Sequence, residues 1–425
     1  MTRIFINEVK KLFNWRILLL IALLGTIVWY VFLGEALDSH VSMTKHGIYG
    51  SYQTEMFRTY GGALESNEIA VSFIAKKRAE AYAGGDAIIA DNPVFEKYRF
   101  NSLSEFLIWY DNLEWYSDWD GTARYYENNA IASDVSSEEV EDRLAMETAL
   151  SITGAATLEE WYNSPTIRLQ SLNMLEFRYV NYRLKLDTFI EHNQRQIVAR
   201  AAEKILALRN NSLVNDNLMP EFSLYTAVMG AFSILAVIIL IMPPLLTDRS
   251  RNVNLLQYSS VVGRKILLIQ FTASLVSAVI LSAVIIIVSV VPFILLAAEY
   301  LNVSIMSCGI HYLWLYDISF GQYVFILVGM IIALCSCAAC IAFILARFSN
   351  NIISAVIKAV PVGLALIGLC AISVNIALSN NNVVFSQVFR GRFNTPEIIV
   401  CCVFGVIAII AALVISVREK RVDVL

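Results

Sequence analysis

Three cysteines packed into six positions, four scattered histidines and a few charges beside long apolar runs are the features of this 425-residue chain that could bear on catalysis or metal binding. Cys335, Cys337 and Cys340 are crowded enough for a metal cluster. On a helix, however, positions i and i+2 point apart, and these three lie in an apolar run where a free thiol behaves as a small hydrophobe. His40, His46, His192 and His311 show no zinc-ligand spacing. No G-x-x-x-x-G-K-[ST] is present, so the chain has no phosphate-cradling loop with which to hydrolyse ATP. G-x-S-x-G is absent too, and the serines and histidines suggest no triad. Asp38, Glu299 and Asp317 lie beside apolar runs, where a polytopic glycosyl- or lipid-transferase would keep its acids, but no motif surrounds them. The chain reads as a non-enzyme without a cofactor of its own.

Two further features carry alternative readings. Lys358 lies within an apolar run and precedes Val360-Pro361. A charge there is either functional or snorkels to a nearby membrane surface, since Asn350-Asn351 is about two turns away. The stretch 106–126 is rich in aromatics, with Trp109, Trp115, Tyr116 and Trp119 among them. Such residues serve as ligand or partner platforms, as membrane-interface anchors, or as the core of a helical domain.

The elements that carry these residues follow from composition. Hydrophobic residues are 57% of the chain, charged residues 16%, and the mean hydropathy is +0.60. Soluble domains average about 45–50% and about 25%. Apolar runs near 17–33, 222–246, 266–298, 323–346, 352–378 and 397–417 approach or exceed the roughly 20 residues that span a bilayer. Backbone groups in hydrocarbon must satisfy one another, which makes such runs helices. The expected fold is an all-α integral membrane protein with six transmembrane helices, the first at 17–35 and the other five within 222–425.

Residues 36–221 differ in kind. They hold 28 Asp/Glu against 17 Lys/Arg, a net of −11 in a chain of −4. This marks a water-soluble domain inserted between the first and second spans, large enough for its own core. It contains no cysteine and therefore no disulfide. Strand signals are weak throughout, so the domain is expected to be mostly helical. Ser136-Ser137-Glu138-Glu139 opens one helix in the manner of a capping box. Beyond Pro165 no Gly or Pro interrupts the chain before Pro220, which predicts one very long helix or two in succession.

Basic residues set the orientation. Arg3, Lys10, Lys11, Arg16, Arg249, Arg251, Arg264, Lys265, Arg347, Arg418, Lys420 and Arg421 flank one side, against Arg390 and Arg392 in the opposite short loops. The positive-inside rule then puts both termini in the cytoplasm and the acidic domain outside a cell membrane of bacterial type. The first span continues through Trp29, Tyr30 and Phe32 with no good cleavage site, so it reads as an uncleaved helix.

Residues 1–16 are amphipathic. Ile4, Phe5, Val9, Leu12 and Phe13 recur at helical spacing, with Arg3, Asn7, Lys10, Lys11 and Asn14 opposite. The pattern suits a helix lying in the headgroup plane before the chain enters the bilayer at Ile17. At the other end of interest, Pro243-Pro244 is expected to end the second span. Thr247, Asp248, Arg249, Arg251 and Asn252 then give a polar start, followed by Val253, Leu255 and Leu256 and by Gly263-Arg264-Lys265. The stretch is either an ordinary loop or a short helix along the membrane face offering an apolar patch to a cytosolic partner.

An amphipathic N-terminal helix bending into the first span, this linker, a five-residue turn from Arg347 to Asn351 and a basic tail together resemble the membrane subunit of an ABC-2-type exporter. The likeness rests on 1–35 and 222–425; the insertion is similar, more loosely, to those of Firmicutes permeases. The resemblance implies an elbow helix from Arg3 to Asn14, with Phe5, Val9, Lys10, Leu12 and Phe13 prominent. It implies a coupling helix from Thr247 to Ser260, within a segment 247–264, with Asp248 where the family has Glu and with Leu255-Leu256 in its leucine-rich step. Arg251 and Asn252 depart from the family's second acid and Gly. It further implies cytosolic ABC ATPase subunits that bind ATP and Mg, and a second membrane subunit, the same or homologous. The substrate would be an amphiphilic peptide, drug or lipid moved outward, with membrane lipids around the complex and no role for nucleic acid. The alternative is a polytopic receptor or scaffold whose outer domain binds peptide or cell-wall ligands without transport.

Overall fold

The computed structural model describes residues 2–38, 49–61, 67–111, 113–117, 123–127, 130–131, 137–152, 157–192, 196–207, 218–251, 263–308, 312–349, 351–382, 384–385, 389 and 394–421. The chain begins with α1 (Thr2–Leu12) and α2 (Trp15–Asp38), the first of six helices among the described residues that are long and apolar enough to cross a membrane. Asn14 separates the two helices. Its side chain accepts the amide of Arg16 at 3.1 Å, a cap that fixes the start of α2 two residues before the Ile17 expected from sequence. From Trp29 to Leu33 α2 widens into a π-turn, and the Gly34 amide donates to the Trp29 carbonyl.

The inserted sequence contains α3 (Tyr49–Tyr60), α4 (Asn67–Asp91), α5 (Pro93–Lys97), α6 (Leu103–Asp111), α7 (Ser137–Ala149), α8 (Leu158–Asn163), α9 (Pro165–His192) and α10 (Gln196–Ala207). Pro165 occupies the first position of α9, where a missing amide costs nothing. Among the described residues, the uninterrupted stretch after it carries α9 and α10, and 193–195 lie outside them. Between α6 and α7 lies a small antiparallel sheet of β1 (Leu113–Ser117), β2 (Ala123–Glu127) and β3 (Ala130–Ile131). Trp115 is paired with Tyr125 and Tyr116 with Arg124 across β1 and β2. This sheet departs from the expectation of weak strand signals: aromatics at successive positions favour a pleated ribbon.

By contact density the chain divides into one unit of 1–41, 189–204 and 216–425 and another of 42–188 and 205–215. Two apolar centres are seen among the described residues of the second unit. Tyr52, Met56, Phe73, Ile74, Leu172 and Leu175 join α3, α4 and α9. Ala81, Ile89, Phe95, Leu103, Phe106 and Met146 join α4, α5, α6 and α7. Gly85 permits the close approach of α4 to α6, because a Cβ there would lie 2.4 Å from Leu103 Cδ2.

The first unit is completed by α11 (Leu218–Ser250), α12 (Ile266–Leu296), α13 (Phe320–Arg347), α14 (Ile352–Val374) and α15 (Pro396–Arg421). With α2 these form the apolar scaffold of an all-α multi-pass membrane protein. Helix α11 is central: it packs against α12, α13 and α14. A Cβ on Gly230 would stand 2.6 Å from Cys370 Sγ and 3.1 Å from Ile331, so Gly lets three helices converge. Two buried hydroxyl bonds link α11 to its neighbours. Ser223 and Tyr323 hydroxyls are 2.8 Å apart, and the Tyr225 hydroxyl donates to the Ser289 carbonyl at 2.6 Å. Helix α11 also continues through Pro243 and Pro244 to Ser250, overturning the expected break. The prolines leave the Ile239 and Leu240 carbonyls without their usual donors. The helix continues past that gap with Pro244, Leu245 and Leu246 all buried.

Candidate functional site

Helix α1 is amphipathic in place as in sequence. Leu12 is buried, Phe5, Val9 and Phe13 are half-buried, and Lys10 is exposed. It packs against α12 and α11. Lys11 forms ion pairs with Glu8 at 3.2 Å and with Asp248 near the end of α11. An acid in the last turn of a helix opposes the helix dipole, and the Lys11 ammonium offsets that cost. Asp248 is thus engaged within the chain, its side chain 14% exposed. Thr247 donates its hydroxyl to the Pro243 carbonyl at 2.9 Å. Both residues belong to α11 instead of opening a new helix. Arg249 is half-buried in the same turn and Arg251 is exposed. Asn252, Leu255 and Leu256 lie outside the described residues.

Arg347 at the end of α13 is buried. It donates to Gln270 Oε1 of α12 at 2.6 Å, and its guanidinium sits 5.4 Å from the Phe343 ring. This charge-assisted bond ties α12 to α13. Sequence reasoning used Arg347 as a topology charge and as the start of a turn, and did not find Gln270. Lys358 is exposed and donates to the Phe348 carbonyl at 2.6 Å, reaching back to the turn between α13 and α14. That geometry is the snorkelling one.

Trp109 lies in the second apolar centre of the insertion, against Phe100 and Phe106, with the Arg143 guanidinium 5.3 Å from its ring. Trp115 and Tyr116 take paired positions on β1, and Trp119 lies outside the described residues. Cys335, Cys337 and Cys340 are buried in α13. No group of three or more His, Cys, Asp or Glu stands ready for a metal among the described residues. Asp317 accepts from the Ser304 hydroxyl at 2.6 Å and pairs with Lys204 at 3.1 Å. The Ser304 bond leads in holding its carboxyl below the ordinary range, against the opposing effect of burial and with help from Lys204. Glu397, not singled out by sequence, is fully buried in the first turn of α15; the signal was its place just after Pro396, where the helix dipole favours an anion.

Two apolar grooves flank α2. One, of about 370 Å³, is lined by Leu20 of α2, by Ile238, Met242 and Leu246 of α11, and by Val356 and Gly363 of α14. The other, of about 450 Å³, runs along the opposite side of α2 past Gly25, Trp29 and Leu33 of the π-turn to Phe232 and to Ser289 of α12.

No family model matches this chain, and neither a curated protein nor a solved structure does so.

Proposed function

We propose that this chain is the membrane-spanning subunit of an ATP-driven exporter of the ABC-2 type, with both termini in the cytoplasm and the acidic insertion outside. The supporting observation is the anchoring of the linker. Its start, at Asp248, is paired with Lys11 of α1, and α1 also packs against α12. An amphipathic helix in contact with both α11 and α12 is suited to pass a push from a cytosolic subunit into the two together. The chain has no phosphate loop, so ATP and Mg would be bound by partner ATPase subunits. A second membrane subunit would complete the pathway for an amphiphilic substrate.

In this mechanism, closure of the ATPases presses on 247–260 and shifts the paired membrane subunits against one another. Substrate then moves outward along their interface, and the insertion governs its release. The test is affinity purification from the native membrane. An ATPase should accompany the wild-type chain, and Leu255→Asp with Leu256→Asp should abolish both its retention and substrate-stimulated hydrolysis. Full retention and coupling in that variant would remove the docking assignment. A chain that binds peptide or cell-wall fragments and never brings down an ATPase would be a receptor or scaffold.

A further inference from the structure

The 370 Å³ groove between α2, α11 and α14 is lined wholly by apolar side chains. In hydrocarbon an unfilled slot forfeits dispersion contacts on all its walls, so something apolar fills it. A methylene chain, wholly apolar and slender, suits a slot with this lining.

Charge at one end narrows the occupant. Successive residues on a helix are 100° apart, so positions four apart share a face. Arg16 is one turn before Leu20 on the groove face of α2, and Arg249 continues the face of Met242 and Leu246 on α11. The groove-lining positions of α14, Ile352 and Val356 among them, begin at its N-terminus. Arg16 and Trp15 are both exposed where α2 begins, with the guanidinium 5.6 Å from the ring, the pairing expected at headgroup depth. No acid lines the groove.

We propose that this groove binds one anionic phospholipid, with an acyl chain between α2, α11 and α14 and its phosphate held by Arg16 and Arg249. The site stands on the membrane scaffold alone and does not depend on the export reading. Each arginine near the headgroup is worth about 1 kcal/mol, or roughly fivefold in affinity. Together they give a preference of about 25-fold for an anionic over a zwitterionic headgroup.

The experiment uses the full chain in nanodiscs of equal dioleoylphosphatidylglycerol and dioleoylphosphatidylcholine, followed by release into detergent and native mass spectrometry. The wild type should keep one phosphatidylglycerol. Arg16→Gln with Arg249→Gln should lose the headgroup preference while still holding a lipid, and Val356→Trp should hold neither lipid. Lys358→Gln, on the face of α14 away from the groove, should match the wild type. Equal retention of both lipids by the wild type, or an unchanged preference in the double arginine variant, overturns the proposal. So does disulfide cross-linking of two Val356→Cys chains, which would show a second copy covering the groove.

Discussion

A double-mutant cycle on Lys11 and Asp248 separates attraction from simple truncation at the join between α1 and α11. Lys11→Ala leaves Asp248 against the negative end of a helix, so it should cost more than Asp248→Ala. The coupling energy should be about 1 kcal/mol, the upper range for a partly exposed pair. Strictly additive losses in thermal melting would show the contact to be incidental. Asp317 offers a pH test. Its carboxyl is depressed in the folded chain by Ser304 and then Lys204. Its stabilisation is therefore present above the unfolded value of about 3.9 and fades as pH falls through the lower folded value. The wild-type Tm should accordingly drop more steeply below about pH 4 than that of Asp317→Asn; parallel curves would deny the linkage. Lys358→Met should leave stability within about 0.5 kcal/mol, as for any exposed snorkelling side chain.

Among elements, close approaches set the sharpest expectations. Gly85→Ala and Gly230→Ala each force a neighbour to move, Leu103 in one case and Cys370 in the other, and should cost about 1–3 kcal/mol by overpacking. Thermal melting of the full chain checks this, and unchanged melting would mean the helices can part without penalty. Elements were legible from sequence where length alone decided. The six spans are apolar over roughly the bilayer thickness, and the Arg347–Asn351 turn is bounded by the end of α13 and by Asn351, which caps Ser354 at 2.8 Å. Helix α1 was legible from its two-faced pattern. The break expected at Pro243-Pro244 fails because burial of the following residues outweighs the missing amides, a tertiary effect invisible in local sequence. The β1–β3 sheet escaped notice because its aromatics follow directly on those of α6. The Arg347–Gln270 bond joins residues 77 apart, and no spacing rule predicts it.

For the whole molecule, the charge asymmetry between the −11 insertion and the basic flanks supports the proposed orientation. With Cys402 replaced by serine, Glu159→Cys should react with a membrane-impermeant maleimide on intact cells. Ser250→Cys should react only after permeabilisation. The reverse pattern would invert the topology and with it the proposed site for ATPases.

The unbroken course of α11 past its two prolines has a mechanical consequence. Its 33 residues make a rod of about 50 Å, well beyond the roughly 30 Å of hydrocarbon. A rod of that length that tilts by about 5° at one end carries the other through about 4 Å. Had the prolines formed a joint, that displacement would be absorbed where they stand. On the export reading, the continuous α11 would act as a lever between Asp248 and Leu218.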